Sequence, residues 1–223
     1  MSGLIDISIP LSAATPPWPG DTPFSCGWTC RRERGDSVNL GTLVSSPHVG
    51  THADAPMHVE SEWAPSESLP ARVFVGECVV IALPDDHAVT DDVDATLLES
   101  LLVPFIGEER VSRVLLRTGY SVAYGQFPAD WPALTVGAVE WLLARGMELW
   151  GSDAPSADRR TSTALPVHHA VFGGGAYVLE NLALDHVTPG RYELLAQPLA
   201  VHGADAAPLR AMLRAMPRTL PRS

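Results

Sequence analysis

Ser46-Pro47-His48-Val49-Gly50-Thr51-His52-Ala53-Asp54-Ala55-Pro56-Met57-His58 gathers three of the chain's eight histidines within eleven residues, with an aspartate between the second and the third. Two further histidines at fixed offsets from a first arise by chance roughly once in eight hundred cases, before any pattern is chosen. Gly50 and the Ala55-Pro56 pair disfavour a long helix, so the side chains are expected to converge from a turn. Imidazole and carboxylate without thiolate suit Zn2+, Mn2+ or Fe2+ and disfavour Cu(I) and iron–sulfur centres. The bland alternative is a polar loop of solvated histidines, for which this density is unusual.

A complete site needs donors from beyond one loop. His168, His169, Glu180, Asp185, His186 and His202 are the later candidates. Leu165-Pro166-Val167-His168-His169-Ala170 is followed by Ala176-Tyr177-Val178-Leu179-Glu180-Asn181-Leu182, which puts Glu180 at the end of an apolar strand. A carboxylate there must be solvated, paired or bound to a cation, because burying it bare is costly.

Around these stretches the pattern is that of a mixed α/β chain. Ile5, Ile7 and Ile9 alternate with polar residues as a half-buried strand does, up to Pro10. Four prolines between Thr15 and Pro23 exclude regular structure and leave Trp18 in a loop. Val38 to Ser45 reads as a strand leading into Pro47-His48, and Val73 to Leu83 as a central strand covered on both faces. Thr90, ahead of Asp91, Asp92 and Asp94, is the expected cap of a first helix carrying Leu97, Leu98, Leu101 and Leu102. Val111 to Thr118 reads as a strand, Thr135 as the cap of a second helix to Arg145, and Gly146 as its stop. Met147 to Trp150, Ala176 to Leu179 and Tyr192 to Leu199 are expected strands, and Pro208 to Leu213 a terminal helix. No Gly/Ser linker or repeat divides the 223 residues, so one domain spanning 1–223 is expected.

Composition narrows the class. Hydrophobic residues make 46% of the chain and charged residues 18%, enough for a substantial core. Eighteen glycines and 20 prolines imply many tight turns. A net charge of −11 argues against nucleic-acid and anionic-membrane binding, both of which need a basic footprint. There is no secretory pattern at the N-terminus and no apolar run of membrane-spanning length, so a cytoplasmic protein is expected. Cys26, Cys30 and Cys78 are too few and too scattered for a disulfide framework and are expected to be reduced packing residues.

The run His48-x-Gly50-Thr51-His52-x-Asp54-Ala55-Pro56-x-His58 strongly resembles the signature of the cyclase-like metal hydrolase family. Trp18-Pro19-Gly20-Asp21-Thr22-Pro23, Val38-Asn39-Leu40-Gly41 with Ser46-Pro47-His48, and Gly151-Ser152-Asp153-Ala154-Pro155-Ser156 resemble its bacterial kynurenine formamidase (arylformamidase) branch. The likeness continues through His168-His169, Leu179-Glu180 and Tyr192-Glu193-Leu194-Leu195-Ala196. It implies a swivelling β/β/α fold, a homodimer, and two divalent metal ions, with Zn2+ favoured and Mn2+ possible. One ion would be held by His48, His52 and Asp54, and a second by His168 and Glu180, with Asp54 bridging. His58 would carry the catalytic proton, with a third metal-ligand role as its competitor, and Trp18 would contact substrate rather than serve only the core. Two departures stand out: Leu165-Pro166-Val167 precedes His168 where relatives often carry an aspartate-containing stretch, and Asn181 follows Glu180 where they usually carry glycine.

The implied reaction is hydrolysis of N-formyl-L-kynurenine to L-kynurenine and formate, a step of tryptophan breakdown. The donor types suit it, because cations can acidify water and polarise a formyl oxygen, while a histidine near pKa ~6.5 can return a proton to the leaving nitrogen. A sibling cyclic amide or lactam hydrolase, such as one opening isatin, would use the same metal site. A metal-binding or sensory protein without activity is the reading from another class, and it would be favoured by loss of a ligand or of His58.

Overall fold

The computed structural model describes residues 3–216. Nine strands form one mixed sheet: β1 (Leu4–Asp6), β4 (His52–Asp54), β5 (Val75–Ala82), β6 (Arg113–Arg117), β7 (Leu149–Ser152), β8 (Tyr177–Glu180), β9 (Gly190–Leu195), β10 (Ala206–Pro208) and β11 (Met212–Ala215). Two more, β2 (Ser25–Cys30) and β3 (Leu40–Val44), form a separate antiparallel hairpin. The large sheet runs β1-β11-β9-β5-β6-β7-β8-β4-β10. Its centre, β5 to β8, is parallel, and antiparallel strands extend it on both sides. The parallel strands are joined by α1 (Ala95–Ile106), α2 (Val136–Ala144) and α3 (Pro166–Gly173). Among the described residues no helix is long and apolar enough to cross a membrane.

Two cores explain the unbroken apolar runs. Val79 and Ile81 of β5, Val114 and Leu116 of β6, Trp150 and Val178 meet Leu98, Leu102, Val139, Leu142, Val167 and Val171 of the three helices. The alternate residues, including Val80, Leu115, Leu149 and Leu179, face a second core closed by Ile7, Ala53, Leu182, Leu194 and Leu213. Successive residues of a strand point to opposite faces, so a strand buried on both sides loses its polar alternation. Gly151 lies where this second core is tightest: an added Cβ would stand 2.6 Å from Leu115 Cδ2 and 3.0 Å from Leu182 Cδ1.

Several expectations are corrected. The first helix is capped by Asp94, whose carboxylate accepts from the Leu97 N–H at 2.8 Å; Thr90 lies upstream. Thr135 does cap α2, accepting from the Ala138 N–H. Pro208 to Leu213 is not a helix. Its leucines and methionine mimic a helical stripe, but Ala211 and Leu213 are buried while Met212 is half-buried and Arg214 exposed, the alternation of a strand. β11 pairs with β9 and β1, with Arg214 bonded to Glu193 across the pair and Arg210 bonded to Asp6. Neither β2 nor α3 carries a strong local signal. β2 is exposed almost throughout, and the Asp158 carboxylate, ten residues ahead of His168, accepts the backbone N–H groups of Val167 and His168 in the first turn of α3. Cys26 is exposed and Cys30 partly so, and only Cys78 is a buried packing residue.

Candidate functional site

The left-handed turn at Gly50 (φ 72°) brings the chain from His48 into β4, and a side chain there would press on Leu11. Alternation along β4 then puts His52 and Asp54 on one face, while Ala53 enters the core. Pairing with β8 sets Glu180 opposite His52, and pairing with β10 sets Ala206 opposite Asp54. Thr51 ties the two loops together, its hydroxyl donating to the Asn181 carbonyl at 2.6 Å and accepting from the Ile9 N–H. α3 lowers His168 onto the same spot, so the loop residues and the distant strand end meet.

The donors converge in two sets around Asp54. Its Oδ1 lies 3.1 Å from His48 Nδ1 and 3.2 Å from His52 Nε2, and those two nitrogens are 3.2 Å apart. Oδ2 lies 3.2 Å from His168 Nε2, which is also 3.2 Å from Glu180 Oε1. Glu180 Oε2 is 3.5 Å from His52 Nε2, closing the ring. The far side of each imidazole is fixed. His52 Nδ1–H donates to the Gly50 carbonyl at 2.9 Å, His168 Nδ1–H to Asp158 Oδ2 at 2.7 Å, and His48 Nε2–H to Asp205 Oδ2 at 3.0 Å. The neutral rings therefore turn lone pairs, not N–H groups, toward the carboxylates.

Such an arrangement fits a divalent cation and little else. Asp54 Oδ1 is fully buried and has no directed hydrogen-bond donor despite its two imidazole neighbours. An orphaned carboxylate oxygen facing two lone pairs at this depth requires positive charge. Protons take that role when no cation is present. Burial opposes charge on His48, but Asp54 and Asp205 outweigh it and push the imidazole up to about 10. Burial likewise opposes charge on His52, which Asp54 and Glu180 push up to about 9. His168 is held well above the ordinary imidazole range against its burial, by Asp158, Asp54 and Glu180. Asp54 lies well below the usual carboxylate range, the histidines overcoming its burial. Glu180 is also lowered, its bonds to His168 and His52 prevailing over burial and the repulsion of Asp54.

Beside this cluster opens a cavity of about 600 Å³ whose lining includes His48, His58, Trp18, Phe127, Ser156 and Asp205. His58, on the short turn after Pro56, has a side chain 30% exposed, and its Nδ1 lies 3.4 Å from Asp205 Oδ2. It also has a ligand atom close enough to His48 and Asp54 to share one ion with them. Trp18 lines the cavity and stands edge-on to Phe127 at 5.3 Å and to Trp131 at 5.9 Å. The other candidates lie apart from the cluster: Asp185 accepts from the Tyr124 hydroxyl, His186 donates to the Asp6 carbonyl, His202 pairs with Glu67, and His169 packs on Trp63.

Two carboxylates were not anticipated from the sequence. Asp158 orients His168 and caps α3, so the aspartate lacking just before His168 is supplied from farther upstream. Its position shortly after Gly151-Ser152-Asp153 is the only hint. Asp205 comes from a Gly-Ala-rich stretch whose nearby candidate, His202, pairs with Glu67 instead of joining the cluster. Asn181 has a positive φ of 55°, a region that asparagine is among the side chains best able to tolerate.

Residues 5–159 match the model of the Cyclase family, described as "Putative cyclase". A kynurenine formamidase of Salinibacter ruber is 43% identical, the match covering 94% of this chain and 96% of the relative. One from Bordetella avium is 40% identical over 96% of this chain and 98% of the relative. A solved structure described as a potential metal-dependent hydrolase with cyclase activity superposes with a TM-score of 0.79 at 26% identity, over 96% of this chain and 99% of that one.

Proposed function

This chain belongs to the Cyclase family, and from that premise we propose that it is a metal-dependent arylformamidase that hydrolyses N-formyl-L-kynurenine to L-kynurenine and formate. The observation that carries the reading is the buried Asp54 carboxylate, one oxygen turned to His48 and His52 and the other to His168, beside an aromatic-walled cavity. The kynurenine formamidase relatives are 40% and 43% identical to this chain, against 22–25% for solved isatin hydrolases of similar coverage, which supports this substrate over the cyclic amides of sibling hydrolases.

In this reading His48, His52 and Asp54 hold one divalent ion, and Asp54, His168 and Glu180 hold a second. A nitrogen–oxygen donor set without thiolate favours Zn2+, with Mn2+ the competitor. When bound, such cations supply Lewis acidity, bringing the pKa of water to ~7 and polarising the formyl oxygen. The chain's own residues do the rest. His58, although near enough to His48 and Asp54 to be a ligand, acts in this reading as the acid–base: it accepts a proton as water attacks and returns it to the aniline nitrogen as the C–N bond breaks. Without that proton the anilide is a poor leaving group. Trp18 offers its face to the kynurenine ring. The exposed hairpin, with Trp28 47%, Leu40 50% and Leu43 68% exposed, supplies the apolar surface for a homodimer.

The experiment is to give cation-loaded protein N-formyl-L-kynurenine and isatin side by side. Faster turnover of the formamide supports the reading. Faster opening of isatin would replace the substrate while leaving the donor set in place.

A further inference from the structure

We propose that Asp205 is a positioning residue that couples His58 to the cation cluster, holding His58 and His48 through a single carboxylate oxygen. The inference rests on the arylformamidase reading and adds a residue to its machinery. Asp205 stands at the start of β10, whose partner β4 carries His52 and Asp54, and its carbonyl accepts the Ala55 N–H at 2.9 Å. Its backbone is thus tied to the strand that bears two of the donors. Oδ2 lies 3.0 Å from His48 Nε2 and 3.4 Å from His58 Nδ1, and the two rings stand 4.4 Å apart, tilted by 44°.

A carboxylate only accepts, so each imidazole must turn an N–H toward it. For His48 that leaves Nδ1 as the lone pair facing Asp54 and His52. For His58 it leaves Nε2 as the free proton acceptor while the ring is held at the cavity wall. The 3.4 Å bond is long, as such contacts are before substrate tightens them. The role resembles that of the carboxylate behind a catalytic histidine in other hydrolases, which sets tautomer and orientation without exchanging its own proton. Asp205 also lines the cavity with a side chain 46% exposed, so direct contact with the substrate's ammonium group is the rival role.

The test compares wild type, Asp205→Asn, His58→Ala and the double variant, with Zn2+ or Mn2+ in saturating excess and bound metal measured in each. We expect Asp205→Asn to lower kcat by about 100-fold, within the range seen for carboxylates that orient catalytic or metal-bound histidines. KM should change less than about twofold, metal content should be retained, and the double variant should be no slower than His58→Ala within about threefold. Four results would each overturn the proposal: an unchanged kcat, a rise in KM alone, a bound-metal content that falls along with kcat, or losses that multiply in the double variant. If Asp205→Asn does not fold, Asp205→Ser carries the same comparison. A wild type inert toward N-formyl-L-kynurenine would fail the substrate reading instead. The same four proteins on formanilide would then decide Asp205, and inertness there as well would count against it.

Discussion

His58 and His52 show how one residue type is divided between tasks. His52 is buried, its Nδ1–H is committed to the Gly50 carbonyl, and its other nitrogen faces Asp54. His58 is partly exposed and borders the cavity. For His58→Ala the expected outcome is unchanged metal by elemental analysis with kcat reduced at least ~100-fold, the usual scale for a lost general acid–base. Loss of one ion instead would make His58 a ligand. These residues were legible because the chemistry is dense within thirteen consecutive positions, although a turn was expected where His52 and Asp54 share one face of the short strand β4. Glu180 was legible as a charge that ends an apolar run. Asp205 and Asp158 were not, because each acquires its partner only through a contact distant in sequence, and neither carries a local pattern of its own.

Single elements follow local rules unless the tertiary fold overrides them. Thr135 caps α2 as its position suggests, whereas the cap of α1 falls four residues beyond Thr90, at Asp94, where the apolar face begins. α3 escaped notice because its first turn is satisfied by Asp158 rather than by a neighbouring residue. The segment at 208–213 reads as a helix by spacing but runs from the end of β10 into β11, which lies between β1 and β9 and brings Leu213 into the second core opposite Leu194. β7 supplies a direct check of that core. Gly151→Ala should lower stability by ~1–3 kcal/mol, read by urea denaturation, because the new methyl meets Leu115 and Leu182 in a closed interior. A neutral result would mean the two sides of the sheet are not packed this tightly.

At the scale of the whole molecule, a mixed α/β domain with a central strand covered on both faces and two capped helices was legible, while the parallel centre and the third crossover, α3, were not. The strand order was not, since β4, β8 and β10 come together through pairings that no local pattern encodes, and it is this order that builds the site. The hairpin stands outside the main sheet with its apolar residues exposed. If the hairpin forms the proposed homodimer interface, Leu43→Asp should shift the protein toward monomer in sedimentation velocity while leaving thermal stability nearly unchanged, as surface substitutions usually do. An unaltered dimer would relocate the interface. The most direct test of the central claim is turnover of N-formyl-L-kynurenine before chelation, after it, and after adding Zn2+ or Mn2+ back, with bound metal measured at each stage. The account predicts that activity falls with metal content and returns with it. Full activity in stripped protein would contradict it.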